Sequence, residues 1–414
     1  MASKFQAPRG TFDVLPERAR ARARLERAAA QIFSRAGYET IATPAFEDTA
    51  LFERGVGKST DIVRKEMFTF EDKGGRSLTL RPEGTASICR AYLEHGMHKL
   101  AQPVKLSYLG PFFRHERPQA GRYRQFHQLG IECIGTDSPL ADAEVITLLS
   151  DLLSELGVPG VELRLGSLGS FEARRAYLED LKAHLHAHEG ELSKDVRERI
   201  DINPLRAFDS DDEGTRGVMR TAPTIVGRLE GEDAEHFEEV RALLDTAGVS
   251  YVVDSTLVRG LDYYTRTIFS FVCDQLGAQS EVGGGGRYDG LIEQLGGQPT
   301  PAVGFAAGIE RILLALDEEV PAAGRDAFIA IADPGQRARA VALAMELRHA
   351  GLAAEVDLAG RGMKGQLKHA DRIGARRVLI LEADGSAHLR DMETGEQRAA
   401  DPGKLVEEMT GGES

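Results

Sequence analysis

Residues 104–134 read VKLSYLGPFFRHERPQAGRYRQFHQLGIECI, two runs of alternating character either side of RPQAGRY. Pro118 and Gly121 are turn residues, so the stretch is expected to fold as an antiparallel hairpin with a long tip. Side chains alternate across a strand. Tyr108, Phe112, Arg114 and Glu116 therefore share one face going out, and Phe126, Gln128, Gly130 and Glu132 share it coming back. Phe113, Leu129, Ile131 and Cys133 point the other way, into a core. The first face offers a guanidinium for phosphate, an aromatic plate for a flat base, an amide, and a carboxylate at its far end. A merely solvated charged face has no use for Phe126 and Gly130, so the hairpin is read as a wall of a binding site.

Outward from the hairpin, Pro16 marks a helix start, with Leu25, Ala29, Ile32, Phe33 and Ala36 at helical spacing until Gly37. YETIATP reads as a strand stopped by Pro44, and LTLRPEG as a strand leading into a helix. From about 171 to 250 the pattern turns to polar, charge-rich helices with a loop at NPLRAFDSDDEG, as in an inserted module. Strand-like runs return at 251–273 and 278–288, and AVGFAAGIERILLAL, 302–316, is a strand turning into a helix. After PAAGRD, strand and helix alternate as in a separate α/β domain.

At 414 residues two or three domains are expected, and 42% hydrophobic with 28% charged residues is an ordinary globular composition. No apolar run resembles a signal peptide or approaches a membrane span, so a cytoplasmic protein with no membrane partner is expected. Cys89, Cys133 and Cys273 are odd in number and set in apolar surroundings, which fits reduced thiols. A net charge of −14 opposes nucleic-acid binding if read globally. Locally, Arg361, Lys364, Lys368 and Arg372 form one stripe of an expected helix opposite Met363, Leu367, Ala370 and Ile373, a candidate nucleic-acid surface.

Three apparent motifs fail. GVGKST at 55–60 imitates a phosphate-binding loop but has Phe52 where the pattern needs glycine. Gly283 to Gly286 lack dinucleotide spacing, and close backbone approach to a ligand or a tight turn explains them better. His184, His186 and His188 spread around a helix axis, which disfavours a shared metal and suggests an exposed cluster. No metal site in the protein is expected.

The remaining motifs combine with the hairpin. TLRPEGT brings Glu83 and Thr85 to a strand end, LVRGLDYYTRTIF presents Arg259 with Tyr263 and Tyr264, and GFAAGIER delivers Arg311 near a helix N-terminus. Arg114, Arg259 and Arg311 together suit a triphosphate.

In these motifs the sequence resembles the histidyl-tRNA synthetases, class II aminoacyl-tRNA synthetases. GYETIATPAFE, the FRHE-loop-RQFHQLGIE hairpin and GFAAGIER follow the three class II signatures in order, and LVRGLDYYTRTIF and EVGGGGRYDGL are similar to the family's histidine-binding motifs. GRGMKGQLKHADRIGARRVLIL resembles its anticodon-binding module. Departures fall at Phe12, in NPLRAFDSDDEG and at Gly362, outside the site residues.

The resemblance implies an α+β fold: an antiparallel-sheet catalytic core at 1–170 and 251–322, a helical insertion at 171–250, and an α/β anticodon-binding domain at 325–414. It also implies a homodimer that activates L-histidine with ATP, carrying Mg2+, and charges histidine tRNA. By the same resemblance, Arg114 takes the ATP α-phosphate, Phe126 stacks on adenine, Glu116 reads its amino group and Arg311 takes the γ-phosphate side. Glu83, Thr85 and Gln128 hold the α-amino group of histidine, Glu132 and Tyr264 its imidazole, with Tyr263 nearby, while Arg259 bridges its carboxylate and the α-phosphate. Arg117 and Gln119 are implied at the tRNA acceptor end. The rival is a non-catalytic histidine sensor of the ATP phosphoribosyltransferase regulatory type, which lacks the terminal domain and has eroded phosphate arginines.

Overall fold

The hairpin forms as its alternation demands. Val104–Phe113 pairs antiparallel with Gln125–Ile134, setting Phe112 opposite Phe126, Gly110 opposite Gln128 and Leu106 opposite Glu132. The computed structural model describes residues 5–57, 60–317 and 320–410; Lys58 and Ser59 of GVGKST lie outside them. Two compact units divide the chain, Met1–Val320 and Pro321–Ser414.

In the first unit the hairpin sits inside an eight-stranded sheet. In spatial order the strands are Glu39–Thr40, Val104–Phe113, Gln125–Ile134, Ala302–Gly308, Glu281–Arg287, Thr265–Cys273, Val161–Ser167 and Val252–Val253. Only the two edge strands pair parallel to their neighbours. YETIATP contributes just Glu39–Thr40, because Pro44 cannot donate to a ladder. The glycine run is no turn: it lies in the strand Glu281–Arg287, between Ala302–Gly308 and Thr265–Cys273.

The period of two separates two cores. Leu129, Ile131 and Cys133 pack with Phe269, Phe305 and the helix Pro139–Leu156. Tyr108 and Phe112 face the other side, with the helix Thr85–Glu94 and Tyr263, Tyr264 and Tyr288. Phe113, expected in the first core, is only half-buried, whereas Phe112 is fully buried. Arg287, Asp142 and His236 are buried together: the Arg287 guanidinium donates to Asp142 and to the Thr136 carbonyl at 2.8 Å, and His236 lies 3.3 Å from Asp142. This cluster ties the sheet to Pro139–Leu156 and to the helix Gly231–Thr246.

That last helix changes the reading of the inserted region. Phe237, Val240 and Leu244 join the first core, whereas Leu181, Leu185, Ile200, Leu205 and Val218 form a separate small core. The helix Phe171–Ala187 carries His184 and His186, and His188 caps its end. His186 alone of the three is exposed, beside Asp201, while the His184 and His188 rings lie 4.6 Å apart with backbone partners.

The second unit is a five-stranded sheet ordered Ala354–Val356, Arg325–Ile331, Ala375–Leu381, Ala387–Asp391, Gln397–Ala399, parallel in its first three strands. Central strands buried on both faces read as continuous apolar runs. Ile329, Leu379 and Leu381 pack with the helix Arg337–His349, and Phe328, Val378 and Ile380 with the helix Met363–Arg372. The basic stripe is shorter than its spacing suggested. Lys364, Lys368 and Arg372 are exposed on the helix, but Arg361 precedes it, paired with Asp357 at 2.6 Å.

Candidate active site

A cavity of about 790 Å³ opens over the hairpin face. One end is carboxylate-rich. Glu83 lies just before the helix Thr85–Glu94 and accepts from the amides of Thr85 and Ala86 at 2.7 and 2.9 Å, so it does the work of a capping residue. The Tyr263 hydroxyl donates to it at 3.5 Å. The Thr85 hydroxyl donates to Glu132 at 2.8 Å, and Tyr288 donates to the other oxygen of Glu132 at 2.5 Å. Glu132 is fully buried, which pushes its carboxyl up to about 8 against the pull of the two hydroxyls. Burial raises Glu83 as well. Gln128 lines the cavity, and its side-chain oxygen is buried without a hydrogen-bond partner among the described residues.

The other end is cationic. Arg114 is anchored by its Nε to the Pro82 carbonyl at 2.9 Å, stands 5.4 Å over the Phe126 ring and has its Nη1 3.9 Å from the Glu116 carboxylate, on the wall of the cavity. Glu116 pairs with Arg122 at 2.5 Å. Arg311, in the first turn of the helix Ile309–Leu316, donates to the carbonyls of Gly121 and Glu281 at 3.0 and 2.9 Å. Arg259 donates to the Glu281 carboxylate at 2.9 Å and lies 5.7 Å over the Tyr264 ring. Burial opposes the charge on Arg259, and Glu281 and Tyr264 together outweigh burial, so the guanidinium is held above its usual range. Acceptors at one end and guanidiniums at the other suit a small molecule with an ammonium group, joined to a polyphosphate.

The family described as Histidyl-tRNA synthetase matches residues 10–312, and the one described as Anticodon binding domain matches 326–411. The chain belongs to the histidyl-tRNA synthetase family. It is 48% identical over 412 residues to a histidine–tRNA ligase of Halothermothrix orenii, with 98% of each chain covered. The structure of apo S. aureus histidyl-tRNA synthetase superposes with a TM-score of 0.82 at 37% identity, over 98% of this chain and 100% of that one. A protein described as an ATP phosphoribosyltransferase regulatory subunit/histidyl-tRNA synthetase from Bacillus halodurans C follows at 0.66 and 26%, over 89% and 97%.

For a histidyl-tRNA synthetase the cavity gathers most residues singled out in the sequence. Glu83, Thr85, Gln128, Tyr263 and Tyr264 line it, as do Arg114, Glu116, Phe126, Arg259 and Arg311. Glu132 does not. It stands one layer behind, and its partners are Thr85 and Tyr288, whereas Tyr264 keeps company with Arg259 and Tyr263. Glu132, expected together with Tyr264 at the imidazole, has as its own hydrogen-bond partners Thr85 and Tyr288, the latter a neighbour that only the sheet register supplies. Arg117 and Gln119 are exposed in the hairpin tip, outside the cavity lining, with Gln119 and Arg122 exchanging backbone hydrogen bonds. Two residues escaped the sequence reading, Tyr288 and Glu281. Both lie in EVGGGGRYDGL, a motif whose polar residues could have been weighed individually. Among the described residues no cluster of three or more histidines, cysteines and carboxylates could hold a metal ion.

Proposed function

We propose that this chain is a histidine–tRNA ligase that activates L-histidine with ATP and transfers it to histidine tRNA. The observation that carries the reading is the cavity itself, with Arg114, Arg259 and Arg311 at one end and Glu83, Gln128 and the Thr85–Glu132–Tyr288 chain at the other. The histidine carboxylate attacks the α-phosphorus of ATP, the bond to the β,γ-pyrophosphate breaks, and histidyl-adenylate forms. A ribose hydroxyl at the tRNA 3′ end then attacks the acyl carbon and AMP leaves, with a phosphate oxygen able to take the hydroxyl proton.

Arg114 binds the α-phosphate and Arg311 the γ-phosphate side. Arg259 bridges the two reacting anions, supplying a fixed positive charge where charge develops. Phe126 stacks on adenine and Glu116 reads its amino group. Glu83, Thr85 and Gln128 hold the α-amino group. Tyr264 and the hydroxyls polarised by Glu132 meet the imidazole, with Tyr263 supporting Glu83. Positioning of this kind is worth up to ~7–11 kcal/mol, so no protein nucleophile is needed. Mg2+ enters with ATP as its substrate complex. Arg117 and Gln119 face the tRNA acceptor end, and Lys364, Lys368 and Arg372 the anticodon side.

The active form is a cytoplasmic homodimer. The exposed Phe46 and Phe70, their rings 6.3 Å apart on the small sheet of Phe46–Asp48, Ser77–Leu80 and Phe68–Glu71, suit a surface covered by a second copy. Histidine-dependent ATP–pyrophosphate exchange followed by tRNA charging tests the function. A pure histidine sensor shows binding and no exchange.

A further inference from the structure

Glu281 touches two of the arginines at the cationic end of the cavity, Arg259 and Arg311. Its carboxylate accepts from Arg259 Nη1 at 2.9 Å, and its main-chain carbonyl accepts from Arg311 Nη1, also at 2.9 Å. The pairing of its strand with Thr265–Cys273 shifts register between Glu281 and Gly283, an irregularity of the kind that re-aims a side chain. The neighbouring Gly284 keeps the path open: a Cβ there would lie 2.9 Å from Arg259 Nη1 and 3.0 Å from Glu281 Oε1. Burial works against the charge on Glu281, and Arg259, Arg311 and Ser270 together outweigh it, so the carboxyl is held below its usual range. The Glu281 side chain is 39% exposed and that of Arg259 13%, so the pair sits at the cavity rim, where a ligand can reach it. The Arg259 Nε is buried and makes no hydrogen bond among the described residues.

We propose that Glu281 is a positioning residue for adenylate formation: its carboxylate holds the Arg259 guanidinium across the cavity, and an incoming phosphate oxygen competes with it for that guanidinium. The inference rests on the ligase reading above and adds a residue that reading does not use. The carboxylate has two opposed effects. As a hydrogen-bond acceptor it fixes where Arg259 points, which favours the reaction once ATP is bound. As an anion it competes with the triphosphate, which weakens ATP binding. The two effects separate chemically, because glutamine keeps an acceptor oxygen at the same reach and carries no charge, while alanine keeps neither.

The test is histidine-dependent ATP–pyrophosphate exchange on the full-length parent, Glu281→Gln and Glu281→Ala, with the folded state of each checked by thermal melting. Glu281→Ala is expected to lower kcat by about ten- to a hundredfold, the scale of a misplaced reacting group, with the histidine KM changing far less. Glu281→Gln is expected to stay within about threefold of the parent in kcat and to lower the ATP KM several-fold, since a charged competitor is gone. In an Arg259→Ala background, Glu281→Ala is expected to cost nothing further in kcat, because the carboxylate acts only through that guanidinium. Equal kcat losses in Gln and Ala variants, an alanine variant indistinguishable from the parent, or an additive loss on top of Arg259→Ala would each overturn the proposal. A parent that shows no exchange at all instead sinks the ligase reading.

Discussion

Glu132 is fully buried, with the hydroxyls of Thr85 and Tyr288 as partners, and burial lifts its carboxyl from an ordinary 4.5 to about 8. Between those two values the folded protein keeps a proton that the unfolded chain has lost. The contribution of Glu132 to stability is therefore fully present below pH 4.5 and lost as pH rises through about 8. The slope is at most ~1.4 kcal/mol per pH unit. Glu132→Gln removes the titration, so the variant should gain on the parent in thermal melts of ligand-free protein between pH 5 and pH 8. Parallel curves across that range would show that Glu132 does not titrate there. At the opposite end of the cavity, Arg259 is a guanidinium held charged by Glu281, a poor place for a group that can lose its proton. Arg259→His should slow single-turnover adenylate formation by about a hundred- to a thousandfold, the loss of one preorganised donor. Substrate binding should suffer less, and a rate near the parent's would remove Arg259 from the reacting centre.

Strand register decides what each of these residues meets. The hairpin faces were readable because a strand alternates with a period of two, and so were the cationic and carboxylate ends of its wall. The partner of Glu132 was not readable. It depends on Gly304 lying opposite Glu132 in the next strand, and on a strand beyond that which leads directly into Tyr288. The glycine run is the same lesson at another place. Read locally it suits a turn, yet pairing on both sides makes it a strand, and crowding explains its composition. Gly304 shows the crowding best. A Cβ there would stand 1.8 Å from a Glu132 carboxylate oxygen and 2.5 Å from the Ile131 carbonyl, and the second of these is backbone that cannot swing away. Gly304→Ala should therefore destabilise the protein by ~1–3 kcal/mol and weaken histidine binding with it. Gly190, where a Cβ meets nothing within 4 Å, supplies the control. Gly190→Ala is expected within about 0.5 kcal/mol of the parent in denaturant unfolding. Equal behaviour of the two variants would deny that Gly304 is under steric constraint.

At the scale of the whole chain, the two units each close their own cores. In the second unit, Arg337–His349 and Met363–Arg372 bury Ile329, Leu379, Phe328 and Val378 over opposite sheet faces, as the alternation of strand and helix in the sequence suggested. The inserted region was harder to delimit, because Gly231–Thr246 looks as polar in sequence as its neighbours yet gives Phe237, Val240 and Leu244 to the catalytic core. All the residues that line the cavity lie before Pro321, whereas Lys364, Lys368 and Arg372 lie after it, exposed on a protein of net charge −14. Phosphate contacts made by such a stripe position an RNA, and contacts to unstacked bases carry its identity. Ending the chain after Val320 removes the stripe and keeps every residue that lines the cavity. The truncated protein should retain histidine-dependent pyrophosphate exchange provided that it stays folded, which circular dichroism can verify. Its kcat/KM for charging histidine tRNA should fall by much more than its exchange rate. Replacing Lys364, Lys368 and Arg372 together in the full chain should reproduce part of that loss and flatten the dependence of tRNA binding on salt, since fewer counterions are released per complex. A truncated protein that charges tRNA as well as the parent, and still tells anticodon variants apart, would show that the terminal unit does not read the tRNA.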